Sequence, residues 1–339
     1  MQRRLFSLVI TLCVAPLIVL APTHRAQAAD DEEPLEFTGT FTYTVDPAQG
    51  VIHADAVLDV KDLNKGRPGY CWDGFYIPVP ASATNIVNLA SLGYNNSGQL
   101  VGERPGKAEI EAIDGSTSYM RLLVSLKICI YNGRKVHNHL TFDILGGAPR
   151  STDPARVNAS YVGFDALAMG RPSGVTTKVV LPSTFEMDHV DDHWTSATAN
   201  GATTYSLSPE AQDDYPDTYL GARNDSALED ISVDTGTGQS FNIMHWPNDV
   251  EWGQFVADQV ERGVPALSEA VGVDWPIDGE TQVREAYSNY FDGYAGWFDP
   301  DSNEMEIGDD LDQEVVLHEL SHAWFNDNWF SDRWLSEGS

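Results

Sequence analysis

Cationic side chains are scarce in this sequence: 20 lysines and arginines stand against 51 aspartates and glutamates in 339 residues, a formal net charge of −31. A surface of that sign repels phosphate backbones, so nucleic acid is set aside as a partner. Cysteine is scarcer still, at three residues, too few for a disulfide-dense scaffold. Long hydrophobic runs are absent after the first 21 residues, so no later stretch is suited to cross a bilayer as a helix. No fixed internal period recurs, which argues against a solenoid or repeat array.

What is present begins with a leader. Arg3 and Arg4 precede the apolar run Leu5 to Ala21, and Ala26-Gln27-Ala28 follows it. A basic start, a greasy middle and a small-x-small end read as a secretory signal over residues 1–28, with the mature chain starting near Ala29. The expectation is a secreted, extracellular protein with no stable membrane span after cleavage. The leader holds Arg3, Arg4 and Arg25 and no acid, so the remainder is more acidic than the whole. Cys13 lies inside the leader, leaving Cys71 and Cys129. An even pair in an exported chain predicts one disulfide, bridging two strands of the first domain.

From residue 29 to about 240 the pattern is short and β-rich. Phe37 to Thr44, Val51 to Leu58, Met120 to Ile128, His139 to Ile144 and Val175 to Leu181 alternate or carry β-branched residues, broken by Gly, Pro, Asn and Asp. Such spacing predicts an all-β sandwich or saddle. Two acidic stretches within and beyond it, Asp188 to His193 and Asp299 to Asn303, invite a metal assignment. The second lacks the glycine an EF-hand needs at its turn, and both read as solvated turns.

After residue 241 the period changes. Asp249 is placed to cap a helix in which Trp252, Phe255, Val256, Val260, Val264 and Leu267 recur at helical spacing, ending near Gly272 with a kink expected at Pro265. Thr281 to Ala286 and Glu304 to Ile307 read as strands flanking the segment Gly293-Tyr294-Ala295-Gly296-Trp297. A second helix follows, introduced by Asp309, Asp310 and Asp312 and carrying His318-Glu319-Leu320-Ser321-His322. Leu317, Leu320 and Trp324 supply its buried stripe. Histidines four apart on a helix stand one turn above each other and can share one ion; the adjacent carboxylate can then take a proton from water. Two imidazoles do not close a zinc site, and the next candidate ligand downstream is Glu337.

The run His318 to Phe325, followed by Trp329 to Gly338, resembles the zinc core of the aminopeptidase-N-like gluzincins. The resemblance implies zinc, one per chain, on His318, His322 and Glu337, with Glu319 as general base. It implies a peptide or protein substrate, and an N-terminal β domain followed by a thermolysin-like α+β zinc domain. The overall expectation is therefore an α+β multidomain chain, with residues 29–240 as the β-rich domain and 241–339 as the first part of the zinc domain. Gly293, Tyr294, Ala295, Gly296 and Trp297 correspond to the substrate-binding strand.

Three departures qualify that expectation. The interval between His322 and Glu337 is shorter than in the family. Gly296 stands where the family has the glutamate that grips a substrate amine; Asp292, Glu304 or Glu306 could substitute, but each reads more simply as a solvated loop charge. The numbering stops at Ser339, before the family's oxyanion-stabilising tyrosine, which suggests a fragment. The expected function is a secreted zinc metallopeptidase, with exopeptidase or endopeptidase action open. The alternatives are an exported binding module that retains an inactive zinc helix, and a zinc hydrolase of another amide or ester.

Overall fold

The computed structural model describes residues 35–326 except 64–70, 94, 96–100, 132, 168–173, 215–217, 237 and 289–293. The leader, Asp292, Gly293, and Trp334 to Gly338 with Glu337 lie outside the described residues.

The first part of the chain is built of strands β1 (Leu35–Asp46), β2 (Val51–Asp62), β3 (Trp72–Pro80), β4 (Ala83–Ser91), β5 (Arg104–Pro105), β6 (Ala108–Ala112), β7 (Tyr119–Ile130) and β8 (Lys135–Leu145). It continues through β9 (Arg156–Val157), β10 (Tyr161–Asp165), β11 (Gly174–Pro182), β12 (Glu186–His189), β13 (Thr195–Ala199), β14 (Ala202–Leu207) and β15 (Tyr219–Arg223). Eight of these form one sheet in the order β13-β14-β11-β1-β2-β8-β4-β5. Alternation decides which face is buried: Ile52, Ala54, Ala56, Leu58 and Val60 of β2 point inward, while His53, Asp55 and Val57 between them face solvent. The buried face shares one core with the sheet β3-β7-β6 and the sheet β12-β15-β10-β9. Strands read from the sequence at Phe37, Val51, Met120, His139 and Val175 fall inside β1, β2, β7, β8 and β11.

Cys71 and Cys129 are disulfide-bonded, with Cα atoms 5.4 Å apart. Cys129 lies on β7 and Cys71 just precedes β3, whose Trp72 pairs with Ile130. The bond closes a separation of 58 residues, which in the chain-entropy account stabilises the fold by about 4 kcal/mol. Replacing both cysteines by serine is expected to lower the unfolding free energy by about that amount, read from denaturant midpoints.

The second part is a five-stranded sheet covered on one face by two helices. Its strands are β16 (Glu229–Asp234), β17 (Ser240–His245), β18 (Thr281–Ala286), β19 (Gly296–Asp299) and β20 (Glu304–Gly308), in the order β16-β17-β18-β20-β19. Both ends pair antiparallel and the middle runs parallel. Helix α1 (Val250–Val271) starts where expected: the Asp249 side chain accepts from the Trp252 N–H at 3.2 Å. It ends at Gly272, whose left-handed φ of 78° suits glycine. Pro265 lies inside a continuous helix. Trp252, Val256, Val260 and Val264 are fully buried along one face. Helix α2 (Gln313–Ser321) packs across α1, and the contact is close because Gly263 has no side chain; a Cβ there would come 2.5 Å from Leu317. This α+β arrangement holds α2 against the sheet edge formed by β19.

Ion pairs join the two parts. Arg150 donates to both Asp249 oxygens, at 2.6 and 3.0 Å, and its own N–H donates to Asp309 at 2.9 Å. Arg223 and Arg284 both engage Glu306, and Arg223 also meets Asp188 at 3.1 Å. Among the described helices none is long and apolar enough to cross a membrane.

Candidate metal and catalytic site

Helix α2 begins at Asp312, whose carboxylate accepts from the Glu314 N–H at 2.8 Å. Nine residues later it has turned Val316 and Leu320 into the core and brought His318 and His322 to its outer face. The two Nε2 atoms converge to 3.2 Å, with the rings nearly perpendicular at 89°. Two ligands held about 2.0–2.1 Å from one tetrahedral ion stand roughly 3.3 Å apart, so the donor atoms are already at the separation such an ion requires.

The rings are held by local contacts. His322 is the C-cap of α2 and keeps helical dihedrals, so it remains one turn from His318. Its Nδ1 donates to the Phe325 carbonyl at 3.1 Å, which leaves Nε2 as the free lone pair. Asn326 closes the helix end by donating to the His322 and Ala323 carbonyls, each at 3.0 Å. Desolvation, and then the neighbouring His322, lower the His318 pKa, so the neutral imidazole that binds metal is the favoured form.

Glu319 is 6% exposed, and burial pushes its carboxyl up to about 7. Its side chain lies directly on Gly296 of the edge strand: a Cβ at that position would come 2.7 Å from Glu319 Cγ and 2.9 Å from Oε1. His318, Glu319 and His322 are the one group of three or more His, Cys, Asp or Glu side chains placed to share an ion among the described residues.

The five residues expected to bind substrate divide. Gly293 lies outside the described residues. Tyr294 and Trp297 are 74% and 63% exposed, and Ala295 is exposed too. Gly296 is buried under Glu319. The Ala295 carbonyl accepts from the Gly308 N–H at 2.9 Å, toward β20. Ladder alternation therefore turns the backbone groups of Gly296 and Phe298 to the open side of β19.

Of the carboxylates suggested as amine anchors, Glu306 is committed elsewhere. It lies on the sheet face opposite the core residues Met305 and Ile307 and is held by Arg223 and Arg284. The Asp299 loop is a turn closed on itself, with Asp299 accepting from the Asp301 N–H and the Ser302 hydroxyl at 2.9 Å each. Sequence reading missed the Gly296 seat, the Phe325 and Asn326 contacts, and the ion pairs at the joint; none leaves a local pattern.

No family model and no curated protein matches the chain. Two solved structures of an M1 zinc metallopeptidase from Deinococcus radiodurans are similar to it. The first is 15% identical, covers 87% of this chain and 65% of its own, and has a TM-score of 0.32. The second, a mutant of that enzyme, is 14% identical, covers 90% of this chain and 69% of its own, and has a TM-score of 0.31. The chain thus spans less than two thirds of the first structure's length. Likeness at this level says nothing about the site, whose chemistry is read from its own geometry.

Proposed function

We propose that the chain is an exported zinc-dependent metallopeptidase. The observation that carries this reading is the 3.2 Å convergence of the His318 and His322 Nε2 atoms with the buried Glu319 carboxyl beside them. His318 and His322 would hold the ion, with Glu337 from outside the described residues as third ligand. Zinc in such a site acidifies water and polarises a carbonyl.

The remaining work belongs to this chain's own side chains and backbone. Glu319 takes the proton of the attacking water and delivers it to the departing amine, the role suited to a carboxyl poised near neutral pH. The open backbone of Gly296 and Phe298 offers hydrogen bonds to an extended peptide laid along β19, bringing its scissile carbonyl past Glu319. Strand addition of this kind recognises the main chain, which favours a peptide or protein substrate. Export is supported by the Cys71–Cys129 disulfide, which persists in oxidising compartments.

The test is metal content joined to turnover. Purified protein is expected to carry one zinc per chain and to cleave a mixed peptide library; a chelator should abolish cleavage and added zinc restore it. Zinc without turnover on any peptide would replace this reading with a binding module. Peptides with free and acetylated N-termini, compared in the same assay, separate the two modes of cutting: equal rates exclude aminopeptidase action.

A further inference from the structure

The joint between the two parts of the chain contains a carboxyl that the metal chemistry does not use. Glu285, at the end of β18, is 3% exposed. Its Oε2 accepts from the Trp246 N–H at 2.7 Å, while its Oε1 is shielded from solvent and meets no donor among the described residues. Tyr161, Trp246 and Tyr287 form the apolar cluster beside it.

Charges facing Glu285 come from every element around it. The start of α1 presents Asp249 and, further out, Glu251; the turn after β20 presents Asp309. The segment after β8 brings Arg150 and β9 brings Arg156. Arg284, Arg223, Asp188 and Asp225 line a small cavity together with Glu285 and Trp246, and with Glu306 they are paired among themselves.

Counting the buried charges decides the protonation state. Asp249, Glu285 and Asp309 are all at least nine-tenths buried, and two guanidiniums serve them. Arg150 takes Asp249 through two hydrogen bonds. Arg156 lies 3.6 Å from Asp309, which also accepts from Arg150 and Ser288 backbone N–H groups. Arg150 and Arg284 lie near, but no cation among the described residues comes within ion-pair distance of Glu285, and an unpaired buried carboxylate neutralises itself by keeping a proton.

We propose that Glu285 is held as a neutral acid that donates its proton to Asp249, and that its ionisation in alkaline solution unlatches the joint at the start of α1. Asp249 is the acceptor because it caps α1 and its carboxyl lies against that of Glu285. Losing the shared proton sets two carboxylates face to face at the end of the helix that supports α2.

The direction of titration agrees. Burial, opposed by the Trp246 hydrogen bond and reinforced by Asp249 and Asp309, pushes the Glu285 carboxyl up to about 10 from its ordinary 4.5. A group whose value is raised on folding contributes stability that is fully present below pH 4.5 and is lost as pH rises through about 10. Between those limits the unfolding constant should rise by up to about tenfold per pH unit.

The experiment is denaturant unfolding of the full chain across pH, wild type beside Glu285→Gln, in zinc-free buffer. Glutamine keeps the shape and can donate to Asp249 as the acid does, so the variant should match the wild type in mild acid and surpass it increasingly as pH rises. Parallel profiles, or a folded variant less stable than wild type by tenfold or more at neutral pH, would overturn the proposal. Should the variant not fold, the wild type still decides. At pH about 8.5, above the range in which Glu319 titrates, its infrared spectrum must keep a protonated carboxylic acid band. Absence of that band means Glu285 is ionised and the latch does not exist. Nothing in this depends on the reading of the metal site.

Discussion

Glu319→Gln is expected to leave zinc on the protein and to lower peptide hydrolysis by about 10²–10⁴-fold, the usual contribution of a positioned general base. Glutamine has the same reach and volume, so it can occupy the buried seat on Gly296 without disturbing His318 or His322. It cannot accept a proton at neutral pH. Metal content by mass spectrometry and initial rates on one peptide, taken on the same preparations, check both halves of the statement. Retained turnover would remove Glu319 as the base; loss of zinc would mean the carboxyl helps to build the metal site.

The pH profile supplies a second readout. A base must be ionised to act, so wild-type activity should fall as pH drops through the range in which Glu319 takes up its proton. Burial alone sets that range near pH 7. A cation beside the carboxylate favours its ionised form and moves the limb to lower pH. In Glu319→Gln the limb should disappear from the residual activity.

The parts of this molecule that follow local rules are legible in its sequence. Histidines at i and i+4 on a helix with an apolar stripe must meet, and they do, at 3.2 Å. Asp249 and Gly272 announce the two ends of α1 by capping chemistry. Once Cys13 is assigned to a leader, Cys71 and Cys129 leave a single pairing, and alternation marks the strands of the large sheet. Long-range register is not legible. Arg150 meets Asp249 across 99 residues and Asp309 across 159, and no periodicity ties such positions together. Glu306 reads as a free carboxylate for the same reason: its partner Arg223 lies 83 residues away on another sheet. Gly296 reads as a missing glutamate, whereas its lack of a side chain is what admits Glu319.

That seat leads to the second large effect. Gly296→Ala is expected to lower turnover by roughly 10²-fold while zinc remains bound, since a misplacement of about 1 Å in a reacting group can cost that much. An added Cβ would stand 2.7 Å from Glu319 Cγ and 2.9 Å from its Oε1, closer than real contacts allow. The strand has little freedom to retreat, because Gly296 pairs with Ile307 and the preceding Ala295 carbonyl is fixed by the Gly308 N–H. Glu319 must therefore move, and His318 and His322 need not, because their rings stand on the outer face of α2. The loss should fall mainly on kcat, since Gly296 keeps its N–H and C=O for the substrate backbone. A change confined to KM would show that the position serves substrate binding alone. Turnover equal to wild type would show that Glu319 can act from elsewhere than its seat on β19.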